Sequence, residues 1–192
     1  KNIEEIEKEF NFKFYRKNII VTYHPETLNL NNSKKDFMIL LKFLEKLNNY
    51  RVIFTFPNSD QFSSQIIQLM KVSVKKNKNF VIFREMGSIN YLSTMVLCDF
   101  IIGNSSSGLT EAPLLKIPSI NYGNRQEGRI KYSSVIDCKT NLKSLENAYK
   151  KVRLIKKFDN NQKGKNFSTS VIKIIEKKIN KILIKKKFID LS

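Results

Sequence analysis

The chain has 192 residues, enough for one domain with a sizeable core and short for two, and 41% of them are hydrophobic. Its two cysteines, Cys98 and Cys138, show no CxxC spacing. A disulfide framework or a cysteine zinc site is therefore not expected, and a reducing cytoplasm is the expected compartment. The net charge is +18, but fourteen Lys/Arg against three acidic residues lie between Lys150 and the C-terminus, so the body is only mildly basic. Such a run reads as a solvated helix face. Nucleic acid is not an expected partner, because the aromatics sit chiefly in apolar segments and not along a basic stripe. The longest apolar runs are strand-sized, too short to span a bilayer, and Lys1–Phe10 is charged and helical in pattern, unlike a secretory signal.

In chain order, a first helix over Lys1–Phe12 leads into an alternation of short apolar runs and helical segments. Ile19–Tyr23, Val52–Phe56, Phe80–Phe83, Phe100–Ile102, Ser119–Tyr122 and Val135–Cys138 have the near-continuous Ile/Val/Phe content of buried strands. Between them, Lys35–Leu47, Ser63–Lys75, Ile89–Leu97 and Gly108–Leu115 have helical length and period. Strand and helix in turn imply right-handed βαβ crossovers, hence a three-layer Rossmann-like α/β domain with a parallel sheet. The expected organisation is an N-terminal helix and linker over 1–18, the Rossmann-like domain over 19–155, and a basic helical tail over 156–192. In the tail, Lys163–Lys187 places Val171, Ile174, Ile175, Ile179, Ile182 and Leu183 on one stripe, with lysines elsewhere.

In this architecture ligands bind beyond the carboxyl ends of the strands. The loops expected there are His24-Pro25-Glu26-Thr27, Pro57-Asn58-Ser59-Asp60, Gly103-Asn104-Ser105-Ser106-Ser107-Gly108 and Gly123–Arg129. The serine loop is the most informative. Three hydroxyls between glycines, before a helix containing Glu111, suit an anion such as a diphosphate at unpaired backbone N–H groups. A lone N-cap would account for one of those serines, not three. Glu111, an acceptor-only carboxylate, can take the hydroxyls of a ribose. His24, the only histidine, sits at a strand end, where an imidazole can exchange protons near neutral pH. Asn58 can read a base edge or a sugar hydroxyl, and Arg125 can neutralise phosphate charge.

Together, Val21–Leu28, Phe54–Asp60, Gly103–Pro113, Ile120–Arg129 and Ser134–Cys138 resemble the UDP-N-acetylglucosamine 2-epimerase family, especially its hydrolysing, sialic-acid-pathway branch. The resemblance covers roughly Ile19 to Val152. It implies the C-terminal half of a two-domain fold of the GT-B type, with the nucleotide held mainly on this half. It further implies that Ser105 and Ser106 hold the diphosphate, Glu111 the ribose, and that Asn58 and His24 line the nucleotide-sugar cleft with Arg125 nearby. His24 is the expected catalytic residue; no cofactor and no metal are expected. The reaction so implied is proton abstraction at C2 and anti elimination of UDP to a glycal. Water then adds with inversion at C2, releasing N-acetylmannosamine.

The resemblance also implies that the acid/base carboxylates come mostly from an N-terminal half, which is not expected among these residues. The chain alone is therefore expected to bind a UDP-sugar, or UDP or GDP, without turning it over. Homo-oligomerisation is left open. The alternative is the donor-binding half of a GT-B glycosyltransferase, which shares the fold and the phosphate-binding logic.

Overall fold

In the computed structural model, residues 1–26, 30–59 and 63–155 are described; the tail segment 156–192, including the expected helix Lys163–Lys187, lies outside them. The elements are α1 (Ile3–Phe10), β1 (Asn18–Thr22), α2 (Leu30–Leu44), β2 (Arg51–Thr55), α3 (Ser63–Lys76), β3 (Phe80–Phe83), α4 (Gly87–Val96), β4 (Phe100–Gly103), α5 (Glu111–Leu114), β5 (Ser119–Tyr122), β6 (Val135–Cys138) and α6 (Leu142–Val152). The six strands form one sheet in the order β3-β2-β1-β4-β5-β6, and every pairing is parallel.

Alternation along the strands divides the core into two layers. Ile19, Val21, Val52, Phe54, Phe100 and Ile102 face Phe37, Leu40 and Leu44 of α2, Ile66 and Met70 of α3, and Leu145 and Ala148 of α6. Ile20, Ile53 and Ile101 face the other way, onto Ile6 of α1, Met95 of α4 and Ala112 of α5. A sheet covered on both faces explains the apolar centres of β1, β2 and β4: all residues of these strands are buried, as are those of β5, where Ser119 and Asn121 alternate with Ile120 and Tyr122. The first helix belongs to this packing, since Ile6 is fully buried and Asn2 caps the helix reciprocally with Glu5.

Two helices differ from expectation. Helix α6 was not anticipated, although Asn141 caps it and Leu145, Ala148 and Val152 bury at helical spacing. The expected helix Gly108–Leu115 is instead a single 3-10 turn, Ser106–Gly108, followed by the four-residue α5. Lys116, just past the C-cap Leu115, adopts φ 59° and Pro118 follows, so the segment does not extend. An anion at this loop would therefore meet hydroxyls and a few N–H groups, with little macrodipole behind them. Among the described residues, no helix is long and apolar enough to cross a membrane.

Candidate functional site

The sheet order turns outward in both directions from β1 and β4, which makes their carboxyl ends the topological switch point. Here the two loops meet. Gly103 ends β4 at φ 148°, and a Cβ there would lie 1.9 Å from the carbonyl oxygen of Thr22. Only glycine lets the serine loop start hard against β1. By contrast, Gly108 adopts no positive φ and would make ordinary contact, 3.7 Å, with Ser119.

Asn104, fully buried, then joins the loops. Its Oδ1 accepts from the His24 backbone N–H at 2.7 Å, and its Nδ2 donates to the His24 carbonyl at 2.8 Å. Its own carbonyl accepts from Arg125 Nη1 at 3.2 Å and from Gln126 Nε2 at 2.8 Å, tying in the loop after β5. On the other side, the Asn58 N–H donates to His24 Nδ1 at 3.1 Å. A neutral imidazole that accepts at Nδ1 carries its proton on Nε2. Two of the sequence-selected residues, His24 and Arg125, are thus bonded to one asparagine that the sequence reading did not single out; Asn58 joins through His24, and Ser105 is the asparagine's chain neighbour. The signal for Asn104 was its place between Gly103 and Ser105.

A second set of contacts lies beneath the serine loop. Ser105 caps the 3-10 turn and accepts from the Ser107 N–H at 3.4 Å and from Ser107 Oγ at 3.0 Å. Ser107 Oγ meets the Tyr91 hydroxyl at 2.8 Å; that hydroxyl lies 3.3 Å from Thr22 Oγ1, which lies 2.8 Å from Thr55 Oγ1. Burial pushes the Tyr91 pKa up, and the Glu111 charge adds to the rise, so Tyr91 stays protonated.

The other selected residues are less engaged. The Ser106 carbonyl accepts from the N–H groups of Leu109 and Thr110, at 2.8 and 3.0 Å. The Glu111 carboxylate accepts from the Thr110 hydroxyl and lies within electrostatic reach of Tyr91. Asn58 lines a cavity of about 900 Å³ with Lys71 and Arg84. A smaller cavity of about 270 Å³ runs along Thr55, Arg84, Met86 and Ser88 to Tyr91. Both cavities border the hydrogen-bonded residues, through Asn58 in the first and Thr55 and Tyr91 in the second.

Comparison with known proteins follows the same lines. The chain is 38% identical over 152 residues to a hydrolysing GDP/UDP-N,N'-diacetylbacillosamine 2-epimerase of Campylobacter jejuni, covering 79% of this chain and 39% of that protein. It is 30% identical over 198 residues to a UDP-N-acetylglucosamine 2-epimerase of Neisseria meningitidis, covering 100% of this chain and 51% of that protein. Among solved structures, the UDP-GlcNAc 2-epimerase of Methanocaldococcus jannaschii matches with TM-score 0.67 at 18% identity, over 90% of this chain and 50% of that one. The Neisseria meningitidis enzyme bound to UDP-GlcNAc matches with TM-score 0.60 at 13% identity, over 91% and 48%. The chain thus spans about half or less of these proteins. The sequence model of the UDP-N-acetylglucosamine 2-epimerase family matches residues 1–175, and the chain belongs to that family.

Proposed function

We propose that this chain is the nucleotide-diphospho-sugar-binding half of a hydrolysing 2-epimerase of the GT-B type. The observation that carries the reading is the pair Asn104 and His24: Asn104, beside Ser105, holds the His24 backbone and accepts from Arg125, and His24 Nδ1 accepts from the Asn58 N–H, so these loops meet at one sheet edge. In this reading Ser105 and Ser106 donate to the diphosphate, Arg125 offsets its charge, and Glu111 accepts from the ribose hydroxyls. His24, with its neutral-state proton on Nε2, is suited to donate toward the leaving diphosphate as the C1–O bond breaks. The base at C2 is supplied from outside this half. The proposed overall reaction converts UDP-GlcNAc and water to N-acetylmannosamine and UDP. The Campylobacter relative, named for a diacetamido sugar on GDP or UDP, makes that substrate the second to assay.

The test is titration of the 192-residue chain with UDP and GDP side by side. At least one should bind, and Ser105→Ala with Ser106→Ala should weaken it by about 1–3 kcal/mol, the scale of hydrogen bonds to a charged group. Binding unchanged by the double substitution would remove the serine loop from the site. In the two-domain protein, UDP release without any sugar acceptor separates a hydrolysing epimerase from a glycosyltransferase.

A further inference from the structure

The hydroxyls beneath the serine loop form a chain whose direction the geometry assigns. Ser107 Oγ donates to Ser105 Oγ at 3.0 Å, so the single Ser107 proton is spent there. At 2.8 Å from Tyr91, Ser107 must then accept, and Tyr91 donates. Tyr91 in turn accepts from Thr22 at 3.3 Å, which leaves Thr22 to accept from Thr55 at 2.8 Å. The competing acceptor for Thr55, the Val21 carbonyl, is longer at 3.5 Å. Every proton therefore points toward the loop, and a chain of aligned hydroxyls polarises its members in one direction. At its end, Ser105 accepts twice and has no acceptor for its own proton among the described residues.

We propose that Tyr91 is a positioning residue for diphosphate recognition: through Ser107 its hydroxyl turns the Ser105 proton outward, toward a bound anion. This rests on the reading of the serine loop as the diphosphate site. Tyr91 suits the role because its partly buried ring packs against the core while its hydroxyl reaches both Thr22 at the end of β1 and Ser107 in the loop. Without its hydroxyl, Ser107 loses its donor and is free to reverse, and Ser105 then spends its proton on Ser107 instead of the ligand.

A double-mutant cycle with UDP as the probe tests this in the 192-residue chain. Tyr91→Phe keeps the ring and should weaken UDP binding about two- to tenfold, the value of one neutral hydrogen bond. In the Ser105→Ala background the same substitution should change affinity by less than about twofold, because its effect passes through Ser105. A merely structural role for Tyr91 predicts equal losses in both backgrounds. Equal losses, or no loss from Tyr91→Phe while Ser105→Ala is deleterious, overturn the proposal and leave the site standing. GDP replaces UDP as the probe if it alone binds; absence of binding by both overturns the site and the proposal with it, and a neutral Ser105→Ala overturns the proposal. Should the Phe variant fail to fold, Ser107→Ala cuts the same chain one hydroxyl nearer the ligand and carries the same expected non-additivity.

Discussion

The side-chain amide of Asn104 holds the backbone of His24 at both its N–H and its carbonyl, at 2.7 and 2.8 Å, across the gap between β4 and β1. An amide is suited to this because one group both donates and accepts. The pair fixes the histidine's Cα where Asn58 can fix its ring.

Replacing Asn104 by alanine removes both of these bonds to the buried His24 backbone. The expected loss is about 1–3 kcal/mol of folding stability, the scale of two buried hydrogen bonds. Urea denaturation of the two chains measures it, and a loss below about 1 kcal/mol would mean that water or a loop shift replaces the clamp.

Gly103 and Gly108 bracket the serines but face different constraints. Gly103→Ala drives a Cβ into the Thr22 carbonyl, which belongs to a central strand, so at least ~3 kcal/mol should be lost. Gly108→Ala meets Ser119 at an ordinary distance and should cost no more than about 1 kcal/mol. Thermal melts of the two variants should differ clearly, and equal melting temperatures would contradict the placement of the loop against β1.

The ion pair Lys131–Asp137, at 2.8 Å, and the bond from Asn121 to Asp137, at 2.7 Å, brace β5 against β6 beneath the loop that carries Arg125. Burial by itself raises the Asp137 pKa, but hydrogen bonds from Lys131 and Asn121 outweigh it and hold the carboxyl below its ordinary value. A carboxyl held down contributes stability above its ordinary range and loses it as the pH falls through the lowered value. Lys131→Met should thus cost no more than about 1 kcal/mol at neutral pH, since Asp137 is largely exposed. The difference from the parent should vanish in acid once Asp137 is protonated in both. Denaturation curves at the two pH values check this, and a difference that persists in acid would assign it to lost packing by the Lys131 stem.

His24 is proposed to serve chemistry as well as shape. In the two-domain enzyme, His24→Ala should lower turnover about 10²-fold or more, the range for a general acid–base group. The 192-residue chain alone should bind nucleotide and release no sugar. Sugar release by the chain alone, or near-normal turnover by the variant, would each refute its part of this assignment.

The sequence determined the layers and the edge. Parallel strands covered on both faces are apolar on both, so Ile19–Tyr23 and the five other runs stood out, and their order with the helices implied a parallel sheet. A parallel sheet puts every strand-to-helix loop on one edge, so His24, Asn58, Ser105 and Arg125 were legible as neighbours before any coordinate was known. What the sequence did not reveal were contacts between residues far apart in the chain. Asn104 and His24 are 80 positions apart, and Tyr91 and Ser107 are 16 apart. The first pair depends on β4 lying beside β1 and the second on how α4 packs against the loop after β4, arrangements that local periodicity does not encode. The short α5 also escaped, because its helical pattern is local whereas its arrest at Lys116 is set by the turn that delivers Pro118 to β5. Residue types chose the chemistry of the edge; the strand order decided which of those residues hold one another in place.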